Sequence, residues 1–260
     1  MKQLDTSEIY LSVVVPAYNE EKRIERTLLS VVQYLESQSY SYEIIVVNDG
    51  SEDGTAGVVT RLSRGAPAIR MIDYKENRGK GWAVKQGMLS AKGALRLFMD
   101  ADNSTTVDQF ERVIPHFEGG ADIVIGSRRV EGARITLHQS WFRENLGRVF
   151  NLVVRSINGL HIEDTQAGFK AFTAEAAESI FPLQSIWGWS FDVEVLNIAD
   201  ALGLSVKEVP IEWRNDPGSH VSLIDSFGII SDIFKVRWRA LRGVYGERRN
   251  SSVADGTPSE

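Results

Sequence analysis

Leu95-Arg96-Leu97-Phe98-Met99-Asp100-Ala101-Asp102 is the stretch from which the architecture is read. A short apolar run ends in two carboxylates spaced one residue apart. The run is too short for a helix, and its polar ending is the pattern of a buried strand that delivers functional groups at its C-terminal end. The pattern recurs outward in both directions. Leu11 to Val15 is apolar and ends at Pro16; Ile44 to Val47 stops at Asn48-Asp49-Gly50-Ser51. Ala68 to Ile72 leads to the glycine-rich Asn77-Arg78-Gly79-Lys80-Gly81, and Ile123 to Ile125 precedes Gly126-Ser127-Arg128-Arg129. Runs apolar on both faces are strands buried on both faces. Between them, Ile24, Leu28, Val31, Val32 and Leu35 recur at helical spacing behind an expected Asn19 cap, and Trp82 to Ala91 reads as another helix. Asp53 or Thr55 opens the helix after the second strand. Such alternation predicts an α/β fold, a Rossmann-like, mostly parallel sheet flanked by helices.

Beyond Ser127 the alternation loosens. Trp141 to Ile157 is expected to be helical, Thr165 to Thr173 to pair as an edge strand, Trp189 to Leu202 to form a helix and Val206 to Trp213 a strand. In Leu223 to Leu241, Phe227, Ile230, Phe234, Trp238 and Leu241 share one face of a C-terminal amphipathic helix, with Lys235, Arg237, Arg239 and Arg242 among or just beyond them. That face suits either an interfacial seat or packing on the core.

Composition narrows the function classes. The 260 residues contain no cysteine, which excludes a disulfide framework, a thiolate nucleophile and a cysteine-ligated zinc site. A formal charge of −6 gives no support to nucleic-acid binding. Met1 to Tyr10 lacks the basic and apolar regions of a signal peptide, and no run reaches the roughly 20 apolar residues that span a bilayer. Any membrane contact is therefore expected to be peripheral. The four histidines form no metal-ligating pair, no Gly-x-Ser-x-Gly elbow occurs, and the first strand leads into no Gly-x-Gly-x-x-Gly.

The polar strand ends are the candidate site. Asp100 and Asp102 offer the hard oxygen ligands that Mg²⁺ or Mn²⁺ takes alongside phosphates, although Asp-x-Asp also occurs on solvated turns. Asp49 can accept hydrogen bonds from a base or sugar edge, or close an Asx-turn. Gly79-Lys80-Gly81 lets backbone approach phosphate, with Lys80 adding charge. Arg128 has the fork that clamps phosphate, while a solvated Arg128-Arg129 pair is the alternative. Asp192 and Glu194, two apart on a helix, point in different directions.

Taken together, VVVPAYNEEKRI, EIIVVNDGSEDGT, ENRGKGWAVKQGML, LFMDADNST, GSRR, DTQAGFKAFT, WSFDVEVL and EVPIEW, between Val13 and Ser219, resemble the family 2 glycosyltransferases. DTQAGFK and WSFDVEVL are similar to the dolichyl-phosphate (polyprenyl-phosphate) β-glucosyltransferases among them. The resemblance implies a glycosyltransferase-A-type fold and an inverting, metal-dependent hexosyltransferase. Its donor is a nucleotide sugar, with UDP-glucose favoured and GDP-mannose, for mannosyl transfer, the alternative; its acceptor is a polyprenyl or dolichyl phosphate. It implies that Pro16, Tyr18, Glu20 and Asp49 form the base and ribose pocket and that Lys80 belongs to the donor site. Asp100 and Asp102, flanking Ala101, bind the Mg²⁺ or Mn²⁺ ion. Arg128 contacts the transferring phosphates, and Asp164, Gln166 and Lys170 line the sugar and acceptor side. Asp164 is the candidate base for a hydroxyl acceptor. Asp102, Arg128, Asp164 and Gln166 are thus the expected catalytic set. The chain departs from the family at Ala167, and at His220 where the relatives carry lysine.

One domain is expected over residues 1–249, with a nucleotide-sugar half at about 10–127, an acceptor half at about 128–222 and the amphipathic helix at 223–242, followed by a disordered tail at 250–260. The expected setting is the cytoplasm, in peripheral contact with the cytoplasmic face of an anionic membrane. The sequence leaves the oligomeric state open, and two other readings with it: transfer to a sugar hydroxyl, and a nucleotide-binding module without turnover.

Overall fold

The computed structural model describes residues 9–137, 151–152, 154–215 and 226–246. In chain order the elements are β1 (Leu11–Ala17), α1 (Ile24–Glu36), β2 (Tyr42–Asp49), α2 (Thr55–Gly65), β3 (Ile69–Tyr74), α3 (Lys80–Ser90) and β4 (Leu95–Met99). A 3-10 turn (Val107–Arg112), α4 (Ile114–Glu118), β5 (Ile123–Ser127) and β6 (Arg134–Leu137) follow. Helical residues 154–158 constitute α5. Then come β7 (Phe169–Thr173), α6 (Ala174–Ile180), α7 (Phe191–Leu202), β8 (Val206–Pro210), β9 (Glu212–Arg214) and α8 (Ser226–Leu241).

A sheet in the order β3-β2-β1-β4-β7-β5-β8 forms the frame. All its neighbours run parallel except β7, which is antiparallel to both β4 and β5. Strand side chains alternate between faces, and the core divides accordingly. Val13, Val15, Ile44, Val46, Leu97 and Met99 join the layer containing α1, whereas Val14, Ile45, Val47 and Phe98 join the layer containing α3, α6 and α7. Every parallel strand therefore releases its chain at one edge of the sheet, which collects the polar strand ends.

Four expectations change. The Thr165–Thr173 segment is not an edge strand: β7 lies inside the sheet, because Phe169, Ala171 and Phe172 are buried and need neighbours on both sides. Pro16 does not end β1, which continues to Ala17. Its ladder with β4 stops at Val14, so only the β2 side remains at Pro16 and the missing N–H costs little. Val206 to Trp213 breaks into two strands, the second pairing with β6 in a separate small ladder. Asn19 caps nothing. It sits at φ 56° and its side chain accepts from the Glu52 N–H at 2.9 Å, tying the loop after β1 to the loop after β2. Leu223–Asp225, most of the Trp141–Ile157 segment, His220 and the 250–260 tail lie outside the described residues.

Candidate active site

At the β1 and β2 ends the loops interlock. The Asn19 N–H donates to Ser51 Oγ at 2.9 Å, and the Glu20 N–H to Thr55 Oγ1 at 2.8 Å. Glu20 is held by the Arg23 fork at 2.7 Å, and Tyr18 is exposed beside it. Asp49, at the end of β2, is buried, and burial raises its pKa against the hydrogen bonds it accepts. Those come from the Gly79 N–H at 2.7 Å, the Arg78 N–H at 3.1 Å and Asn77 Nδ2 at 3.1 Å. Its carboxylate therefore fastens the 77–79 loop over the strand end.

Lys80 opens α3. Its Nζ lies 2.6 Å from Asp100 Oδ1 at the end of β4 and 5.1 Å from the centre of the Trp189 ring. Burial disfavours the Lys80 charge, but Asp100, Asp192 and Asp102 outweigh it and hold its pKa above that of a free lysine. The Asp102 pKa is raised as well, by burial and then by the adjacent Asp100 charge, which for a carboxyl group disfavours the charged form. The Asp100–Asp102 turn is tied down by Thr27 Oγ1, which donates to the Ala101 carbonyl at 2.6 Å, and by the Ser104 N–H to Asp102 Oδ1 at 2.9 Å. Against it lies Gly168, where any Cβ would collide with the Asp100 carboxylate. Two partly buried, like-charged carboxylates in a fixed turn fit a Mg²⁺ or Mn²⁺ ion that would complete its shell from phosphate oxygens.

The glycines of the 79–81 loop have a different task from the expected approach to phosphate. The Gly81 and Trp82 N–H groups at the start of α3 both donate to the Trp187 carbonyl, at 2.7 and 3.3 Å. A Cβ at Gly79 would lie 2.5 Å from that carbonyl oxygen, and one at Gly81 2.6 Å from the Ile186 oxygen. They permit the 186–188 backbone to seal the helix end, which is not open to an anion there.

Arg128, just past β5, is bound to Asp164 by its fork, Nε and Nη2 each at 2.8 Å, and by its backbone N–H at 3.0 Å. It also reaches the Gln166 carbonyl at 3.4 Å and stacks 5.4 Å from the Trp213 ring. Burial alone would raise the Asp164 pKa, but Arg128 overrides it and holds it down to about 2. A carboxylate held in this ion pair is a poor proton acceptor near neutrality, which weighs against Asp164 as a base. Deeper in, Lys170 and Asp192 form a buried pair at 2.5 Å, and Lys170 also donates to the Ala167 carbonyl at 2.6 Å. Asp192, raised by burial and lowered by Lys170 and Lys80, links this pair electrostatically to the Lys80–Asp100 pair, and Arg128 interacts with Asp100 and Asp192. The structure thus joins Lys80, Asp100, Asp102, Asp192 and Arg128 in one charged cluster, while Pro16, Tyr18, Glu20 and Asp49 occupy the neighbouring strand ends. Sequence reasoning assigned no role to Gly168 or Thr27. The only signal for Gly168 was its place in DTQAGFK, and Thr27 reads as an ordinary helix residue.

Comparison with known proteins identifies the family and the fold. Residues 12–181 match the sequence model for "Glycosyl transferase family 2". Dolichyl-phosphate beta-glucosyltransferase ALG5C of Trichomonas vaginalis is 40% identical over 88% of this chain and 71% of its own length. The dolichyl-phosphate beta-glucosyltransferase of Dictyostelium discoideum is 39% identical over 91% and 76%, and that of Saccharomyces cerevisiae 34% identical over 94% and 79%. Among solved structures, mannosyl-3-phosphoglycerate synthase from Rubrobacter xylanophilus superimposes with a TM-score of 0.65 at 20% identity, over 96% of this chain and 79% of that one. Glucosyl-3-phosphoglycerate synthase from Mycobacterium tuberculosis, in complex with Mn²⁺ and UDP-glucose, does so with a TM-score of 0.62 at 20% identity, over 89% and 79%. These structures share the glycosyltransferase-A-type fold. The chain belongs to glycosyl transferase family 2, in which the relatives it resembles are dolichyl-phosphate β-glucosyltransferases.

Proposed function

We propose that this protein transfers glucose, with inversion, from UDP-glucose to a dolichyl or other polyprenyl phosphate, using Mg²⁺ or Mn²⁺ and working in peripheral contact with the cytoplasmic face of an anionic membrane. The observation that carries the reading is the cluster of Lys80, Asp100 and Asp102 at the end of β4, electrostatically linked to Arg128. The names of the relatives supply the sugar and the acceptor class. A cation held by Asp100 and Asp102 would offset the charge growing on the leaving diphosphate.

The remaining chemistry follows from the side chains. Lys80 keeps its positive charge and holds Asp100 in place. Arg128, steadied by Asp164 and Trp213, presents a fixed cation to phosphate oxygens. No general base is required: the second pKa of a phosphate monoester is about 6, so the acceptor oxygen is already ionised near neutrality. It attacks the anomeric carbon from the face opposite the diphosphate. The new C–O bond forms as the old one breaks, and the bonding electrons leave with the diphosphate, so an α-linked donor gives a β-linked product. This agrees with an Asp164 whose pKa is lowered by its Arg128 partner.

The test is a donor panel against one short-chain polyprenyl phosphate with Mn²⁺. UDP-glucose is expected to release UDP and give a glucosylated lipid, β by NMR. Preferential use of GDP-mannose would move the reading to mannosyl transfer. Transfer only to soluble sugars would overturn the lipid acceptor.

A further inference from the structure

Glu194 lies on α7, two residues past Asp192, and is fully buried. The helix turns the two carboxyl groups to different neighbours. Asp192 meets Lys170, whereas Glu194 is enclosed by donors from three segments. It accepts from the Ser185 N–H at 2.8 Å, Ser185 Oγ at 2.7 Å, the Ile186 N–H at 2.7 Å, Tyr245 Oη at 2.9 Å and Arg239 Nη1 at 3.2 Å. A buried carboxyl group is retained where surrounding donors compensate its lost hydration, and these do so from two sides of the fold.

What those donors hold is the segment sealing the active-site helix. Ser185 and Ile186 are followed by Trp187, whose carbonyl takes the first N–H groups of α3, and by Trp189, whose ring lies beside Lys80. The glycine contacts at 79 and 81 leave no slack between the two backbones. A shift of Ser185–Ile186 is thus transmitted to Lys80, and from Lys80 to Asp100. From the opposite side Arg239 and Tyr245 tie the same carboxyl group to α8 and the turn after it.

We infer that Glu194 is a positioning residue for the Lys80–Asp100 pair, fixing the 185–189 segment on the start of α3 and joining it to the seat of α8. Asp49 clamps the 77–79 side of the same loop independently, so loss of Glu194 releases one side only. The kinetic consequence rests on the proposed transferase reading; the structural consequence does not.

The experiment uses the full chain with Glu194→Gln, which keeps the shape but turns an NH₂ group toward donors. Hydrogen exchange at the Gly81 and Trp82 amides is expected to accelerate about tenfold, with β1 and β2 unchanged. With UDP-glucose and polyprenyl phosphate, kcat is expected to fall about 10- to 100-fold while donor KM moves less than about threefold, because the Asp49 side remains. Tyr245→Phe removes one donor and should give the same exchange effect in weaker form; it decides the matter by exchange alone if Glu194→Gln does not fold. Unchanged exchange at Gly81 and Trp82, or a KM rise as large as the kcat fall, would overturn the inference. An inactive parent enzyme would overturn the transferase reading instead and leave exchange to decide this one.

Discussion

Asp164 shows how one residue's surroundings settle its chemistry. Its pKa is held near 2 against an ordinary value of 3.8. A lowered carboxylate pKa gives stability that is complete above the unfolded value and lost as pH falls through the folded one. The shift corresponds to about 2 kcal/mol. Urea unfolding should therefore show Asp164→Asn less stable than the parent by about that amount near neutrality, with the gap closing from about pH 4 to about pH 2. A gap independent of pH would sink the assignment. At the metal-side turn, Asp102→Asn is expected to lower kcat/KM about 100-fold or more while leaving the circular dichroism intact, since it removes a charged oxygen where a cation would sit. Gly168→Ala should act on the same step from outside, by displacing the Asp100 carboxylate. Its signature is a higher Mn²⁺ requirement, and a normal Mn²⁺ titration would refute it.

At the scale of the element, α8 resolves two readings of one helix. Ile233 and Val236 are buried in the core layer with α7, whereas Phe234, Trp238 and Leu241 are 57%, 52% and 70% exposed. The helix packs on the core with one face and presents aromatic groups on another. Most of its basic residues are engaged within the protein. Arg239 turns in to Glu194, Arg237 donates to the Asn158 carbonyl at 3.4 Å, Lys235 pairs with Asp232, and Arg242 stacks 4.0 Å from the Trp238 ring. No helix among the described residues is long and apolar enough to cross a membrane. The exposed face is therefore the better probe of peripheral contact. Changing Phe234, Trp238 and Leu241 to Ser should cut co-sedimentation with anionic vesicles containing acceptor lipid at least about fivefold, with thermal stability nearly unchanged. Equal co-sedimentation by parent and variant would exclude this face.

Across the whole molecule, β7 joins β4 and the strands beyond it to β5 and β8, and carries Lys170 into the middle of the sheet. The buried Lys170–Asp192 pair thereby connects the sheet to α7 and, through Asp192, to Lys80. Removing one member strands the other, which typically costs about 3–5 kcal/mol. Lys170→Met should thus be markedly less stable than the parent, and Lys170→Met with Asp192→Asn should regain about 1–2 kcal/mol. Additive losses in a double-mutant cycle would mean that the pair is not coupled.

The parallel core strands and their polar ends were legible because both signals are local. Val13–Val15, Ile44–Val47, Leu97–Met99 and Ile123–Ile125 are uninterrupted apolar runs; Asp100 follows directly on its run, and Asp49 and Arg128 come within three residues of theirs. The divergence of Asp192 and Glu194 was legible too, from helix geometry alone. Placing β7 was a tertiary matter. A five-residue strand with a lysine as its second residue reads as an edge until Asp192, brought in by a distant helix, compensates that lysine inside the sheet. The setting of Asp164 was likewise a matter of a partner 36 residues away, whose fork holds its carboxyl pKa well below the ordinary value. The task of Gly79 and Gly81 depended on the Trp187 and Ile186 carbonyls, which only the packing of the 185–189 segment brings there. Local sequence determines which backbone conformations and buried faces are available. Long-range packing determines which charges meet, and that sets their protonation and their use.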